Sequence, residues 1–230
     1  GVGGYLKIYY KDRQTLPKDE SNGNTPLVST YEVAFYSWKV FDELYRETGD
    51  QEYAAYRDQL RKLLDQDQHK NLVDLCYQTI ALATIDRVAY ADKIRRNSER
   101  LLSLQRSNAQ WSMLFEPDSP TVEFQTGHVL YTLALAGYRP DHPGIAEGLR
   151  VLLARQQQFG GWFDPLQSYE NFRTPFRETQ FAVMALSEFY KRPVQARGWN
   201  AGFDPLPERL SERDPLLRLN QMDCVWDKPG

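Results

Sequence analysis

Eight side chains combine reactive chemistry with a recurring position, the beginning of an apolar segment: Glu32, Asp74, Cys76, Glu123, Gln125, His128, Arg177 and Glu178. Carboxylate, thiolate and imidazole are zinc-ligand types, and three of them around an open position make a catalytic metal site. Asp74, Cys76 and His128 supply one of each, although a lone cysteine in an apolar helix also serves as a small core residue. Glu178 places an acid at the start of the last apolar segment. Arg177 beside it favours the ionised form, and a carboxylate in the first turn of a helix is also what the helix dipole attracts. Tyr31, Tyr77, Phe124, Trp162, Phe163, Tyr169, Phe172, Phe176 and Phe181 are the aromatic candidates. They line an apolar cavity or pack between helices, with Tyr77, Phe124, Gln125, Phe176 and Phe181 as the expected ligand-binding set. No GxSxG elbow, phosphate loop or HExxH pattern is present.

These side chains lie on a helical scaffold of about fifty residues per unit, a period that marks a repeat architecture. The organising stretch is Gly148 to Trp162, GLRVLLARQQQFGGW, in which Leu149, Leu152 and Leu153 recur at helical spacing before Gly160 and Gly161 close the helix. A degenerate copy runs from Glu99 to Trp111. Leu101, Leu102, Gln105 and Trp111 match Leu152, Leu153, Gln156 and Trp162 at an offset of 51.

Helices are expected from Ser29 or Thr30 to just before Gly49, Glu52 to Gln66, Asn71 to Asp86 and Tyr90 to Gln105. Three more are expected from Val122 to Gly137, His142 or Pro143 to Gln158, and Pro175 to Tyr190. The first, third, fifth and seventh are inner helices, and the even ones are amphipathic outer partners. Thr30, Thr79, Thr126 and Thr179, spaced by 49, 47 and 53, fall near the inner-helix starts. In the α/α toroids of the terpenoid cyclase and protein prenyltransferase superfamily, which the Gln156 to Trp162 stretch resembles, inner-helix N-termini with their unpaired N–H groups and partial positive charge point toward a central cavity. The resemblance implies the same mouth here.

Leucines, then glutamine, a short gap, glycine and tryptophan resemble the QW motif of the terpenoid cyclase and protein prenyltransferase superfamily. The resemblance runs from about Thr30 to Tyr190. It is strong at Gln156 to Trp162 and weaker at Gln105 to Trp111, where Ala109 and Gln110 stand for the two glycines. It implies an all-α fold, an incomplete α/α toroid of helical-hairpin repeats over residues 29–190. Residues 1–28 form an N-terminal linker and residues 191–230 an extended C-terminal segment. The squalene-hopene type of cyclase uses an acid from an Asp-rich motif just before an inner-helix threonine, and only Glu178 survives before Thr179. Asp74-Leu75-Cys76-Tyr77 resembles the segment that supplies two zinc ligands in prenyltransferase β subunits. In that register the third ligand's slot holds Gln125, and His128 lies one turn further on.

The resemblance also extends to degenerate toroid modules of large bacterial multidomain proteins with c-type haem domains. It implies a non-catalytic structural or binding module, with an isoprenoid-handling enzyme as the alternative. No cofactor is expected in this segment unless zinc is held, and any haem would reside elsewhere in a longer chain. Expected partners are other domains or subunits and an apolar isoprenoid or lipid. A cytochrome-type parent would be periplasmic or membrane-associated.

Bulk properties agree with a globular module. The chain has 230 residues, 41% hydrophobic and 26% charged, with a net charge of −3, which gives no electrostatic case for nucleic acid. No apolar run is long enough to span a membrane, and Gly1 to Tyr10 lacks the features of a signal peptide. Its two cysteines, Cys76 and Cys224, are free thiols or a disulfide, and no CxxCH haem motif occurs. The start at Gly1 and the apolar end around Trp226 read as a piece of a longer protein.

Overall fold

The computed structural model describes residues 29–158, 160–163 and 176–191, together with Lys7 and Lys11. Its described part is all-α, with seven helices and no strand beyond one isolated bridge between Ser112 and Thr121. They are α1 (Thr30–Thr48), α2 (Gln51–Leu64), α3 (Leu72–Asp86), α4 (Ala91–Ser103), α5 (Glu123–Leu135), α6 (Pro143–Ala154) and α7 (Phe176–Phe189).

The ends follow from local chemistry. Ser29, Asp50 and Asn71 each accept a backbone N–H from the first turn of α1, α2 and α3, which satisfies a donor the helix cannot pair internally. Pro143 opens α6, where a missing N–H costs nothing. Gly49 closes α1 in the left-handed region at φ 70°, its N–H bonded to Tyr45 O.

Hairpins α1–α2, α3–α4 and α5–α6 are joined through their odd-numbered helices, because α1 packs on α3, α3 on α5 and α5 on α7. These four are parallel. Ser29 and Glu32 of α1 meet Asp74 and Tyr77 of α3, Cys76 meets Gln125 of α5, and Phe124 meets Phe181 of α7. Every residue of α3 from Leu72 to Leu82 is buried, whereas α4 buries only Ile94, Asn97, Ser98 and Leu101. The continuous apolar pattern of α3 and the striped pattern of α4 thus translate into an inner and an outer position. α5 and α7 approach closely at Gly127, where an added Cβ would lie 2.8 Å from Ala182 N and 2.9 Å from Phe181 C of α7.

The two leucine–glutamine–tryptophan stretches fold alike. Trp111 Nε1 donates to Leu101 O and Trp162 Nε1 to Leu152 O, both at 2.7 Å, and both indoles are fully buried. Gln105 Nε2 reaches Ala109 O as Gln156 Nε2 reaches Gly160 O, and the backbones bond Arg106 N to Gln110 O and Gln157 N to Gly161 O. The backbone N–H of each tryptophan then donates to the threonine hydroxyl of the next inner helix, Trp111 to Thr126 and Trp162 to Thr179. Gly160 has φ 86°, and Ala109, at the same place in the other copy, is held at φ 62°. A side chain in that region costs about 1–2 kcal/mol, so the turn's hydrogen bonds impose its shape on a residue that resists it.

Three expectations need correcting. The sixth helix ends at Ala154, and Gln156 belongs to the turn, because its side chain and the N–H of Gln157 bond within the loop. Thr79 lies mid-helix in α3, with its hydroxyl turned back to Leu75 O. His69 and His142, whose places in a loop and at a helix start lead the sequence to predict exposure, are half-buried. The segments 1–28 and 192–230, Cys224, and the Asp164 to Thr174 part of the aromatic loop lie outside the described residues.

Candidate functional site

Because the inner helices are parallel, their first turns gather at one end of the row. Each carries one carboxylate there: Glu32 on α1, Asp74 on α3, Glu123 on α5 and Glu178 on α7. Four negative charges face four helix N-termini, the placement the macrodipole favours. Asp74 is fully engaged, accepting from Ser29 Oγ at 2.7 Å and from Lys70 N at 2.8 Å, which ties the start of α1 to the start of α3. Glu123 is buried and paired with Arg155. Glu32 accepts the hydroxyl of Tyr77 at 2.7 Å. Glu178 is half-buried, and the guanidinium of its neighbour Arg177 lies 4.7 Å from the centre of the Phe124 ring.

The candidate metal ligands point apart. Residues two apart on a helix do not face each other, and Asp74 turns to Ser29 while Cys76 turns to Gln125, whose Nε2 is 3.5 Å from the sulfur. The Cys76 thiol is wholly buried, and burial pushes its pKa up to about 12, away from the thiolate that binds metal. His128 lies among aromatic rings. Among the described residues no group of three or more His, Cys, Asp or Glu side chains is placed to hold a metal ion.

What the fold does bring together is the aromatic set. The His128 ring is 4.3 Å from Phe181, 4.7 Å from Tyr77 and 5.7 Å from Phe124, measured between centroids, and Phe124 meets Phe181 edge-on at 5.2 Å. Three inner helices contribute. Burial, helped by the nearby positive charge of Arg177, drives the pKa of His128 down to about 3, so the ring is neutral at ordinary pH. The Tyr77 hydroxyl is pushed up by burial and by the Glu32 carboxylate it donates to, which keeps it a proton donor. Gln125 sits beside this cluster and faces Cys76. Phe176 begins α7, but its side chain lies outside the described residues.

Sequence reading passed over Tyr36 and Tyr131, which extend the cluster along the inner face. Tyr36 meets Tyr77 edge-on at 6.4 Å, and Tyr131 lies at the same distance from Phe181. The signal was available, since Tyr36 is one turn beyond Glu32 and Tyr131 two turns beyond Phe124. Tyr31, grouped with the cavity by type, instead donates to Gln66 O and accepts from Gln68 N behind α1. A separate cleft of about 310 Å³, lined by Arg87, Ile94, Arg95, Ala136 and Tyr138, lies at the far end of the inner row. Arg87 there donates to Leu135 O, a cap on the end of α5.

Comparison with protein-family models, curated proteins and solved structures returns no match to this chain.

Proposed function

We propose that this chain is a non-catalytic module of the toroid type, a structural and binding domain of a larger bacterial protein. Its aromatic inner face takes an apolar ligand or an apolar partner segment. The observation that carries this reading is the convergence of Tyr77, Phe124, His128 and Phe181 from three parallel helices at the carboxylate-bearing end of the row. Support comes also from the residues that would have to catalyse. Glu178 stands in the first turn of α7 as Glu32, Asp74 and Glu123 stand in theirs, the placement the helix dipole favours, whereas a protonating acid needs a desolvated site that keeps it neutral. Asp74 is committed to Ser29 and Lys70 N, and Cys76 is a buried thiol.

The test pairs binding with turnover. The full chain, titrated with a polyprenyl substrate, is expected to bind it with a loss of affinity on Phe181→Leu, to release no product, and to carry no stoichiometric zinc. Product formation abolished by Glu178→Gln would replace the module by a cyclase. One zinc per chain, lost on Cys76→Ala, would replace it by a transferase.

A further inference from the structure

Most buried polar side chains of the inner helices have partners: Asp74, Gln78, Thr79, Thr126 and Thr132 all make hydrogen bonds. Among the described residues, both ring nitrogens of His128 are buried without a hydrogen-bond partner, and so is one end of the Gln125 amide, Oε1. Each residue is 0% exposed. Standing three apart on α5, they share a face, with Cβ atoms about 5–6 Å apart. Gln125 is held at its other end by the contact of Nε2 with Cys76, and His128 is held by the Tyr77 and Phe181 rings. An imidazole and an amide oxygen buried unpaired are costly, and such groups call for an occupant.

We propose that the aromatic cluster receives an apolar molecule bearing a single neutral hydroxyl group. That hydroxyl accepts from the His128 N–H and donates to Gln125 Oε1. The inference rests on the ligand-binding reading above and names its ligand class. A hydroxyl is both donor and acceptor, which is what this pair lacks. A carboxylate only accepts and would set its charge against Oε1, an ammonium only donates, and a hydrocarbon leaves both groups unpaired. Tyr77, Phe124 and Phe181 supply apolar surface for the body of the molecule. Tyr36, 47% exposed beside Tyr77, stands on the solvent side and marks the entry.

The test titrates the full chain at pH 7.5 with 2-phenylethanol, ethylbenzene and phenylacetate, and reads dissociation constants by ligand-observed NMR. The alcohol is expected to bind at least ten-fold more tightly than the hydrocarbon, and the carboxylate most weakly. His128→Phe should bind alcohol and hydrocarbon equally. Gln125→Leu, which leaves every ring contact of His128 in place, should lower the preference several-fold and decides the matter if His128→Phe does not fold. Equal affinity of the unaltered chain for alcohol and hydrocarbon overturns the inference while the apolar site stands, and a trapped water is then the partner. Binding of none of the three removes the site and the inference together.

Discussion

Replacing His128 by phenylalanine isolates one part of this protein's acid sensitivity. The imidazole is neutral in the fold, with a pKa of about 3 against 6.5 for the free side chain. Above pH 6.5 it is unprotonated whether the chain is folded or not, and its contribution is fully present. Below that, the unfolded chain takes up a proton that the fold refuses, so stability falls with pH until about 3. Each unit is worth about 1.4 kcal/mol, so the ring alone removes roughly 2 kcal/mol at pH 5 and roughly 3 at pH 4. The charged and titratable groups facing it are Arg177 on α7, Tyr77 on α3 and, through Tyr77, Glu32 on α1. None of them supplies a carboxylate contact that would stabilise the imidazolium. The assay is urea unfolding followed by the fluorescence of the buried Trp111 and Trp162, at pH 7.5 and pH 5, for the protein and for His128→Phe. Stability should drop by roughly 2 kcal/mol more in the unaltered chain than in the variant. An equal drop in both would mean that the imidazole is hydrated or paired in the fold, and would refute the dry, unpaired ring at the centre of the cluster.

Gly127→Ala should cost about 2–3 kcal/mol in the same assay, because its Cβ meets the α7 backbone and not a side chain that can turn aside. A loss below about 0.5 kcal/mol would show that α5 and α7 separate easily. Gln78→Leu should be at least as harmful, about 3 kcal/mol or more: its amide donates to Leu64 O and Gln66 O, and its oxygen serves His69 and Asn97. Near-neutral behaviour would mean that water replaces the amide. Cys76 should react with a thiol reagent only at the rate of unfolding, since the sulfur is buried and its pKa lies at about 12. Fast labelling of the folded chain at pH 7.5 would contradict its placement.

The helices were legible because their boundaries are written in local chemistry. Ser29, Asp50, Asn71, Pro143 and Gly49 each act within a turn of where they stand, and continuous against striped apolar patterns separate α3 from α4. The 51-residue offset between the tryptophan turns was legible for the same reason, though Ala109 disguised it. The site was only half legible. Residue type picked out Tyr77, Phe124 and Phe181, but not the partners each would choose. Asp74 and Cys76 look like a ligand pair on paper, and only the rotation of about 200° across two helical residues, with Ser29 on one side and Gln125 on the other, separates them. The importance of Gln78 depends on carbonyls at the end of α2 and in the turn after it, and nothing local announces it.

The threonine that receives each tryptophan N–H gives the array a particular mechanical character. Thr126 and Thr179 are where one hairpin's turn is fastened to the helix that begins the next. Disturbance at one end of a row of nearest-neighbour units spreads only as far as such fastenings hold. With both intact, the described helices should unfold in one step. With Thr126 changed to valine, which keeps the shape and removes the acceptor, the turn stays tied to α5 by Val122 N–H to Trp111 O and by the shared apolar core. Urea unfolding should then stay a single step with a loss of about 1 kcal/mol, and a second step would show that the hydroxyl alone joins the hairpins. The hydroxyl therefore trims the strength of the joint, while the core shared by α3, α5 and the Trp111 turn keeps the described helices one cooperative body.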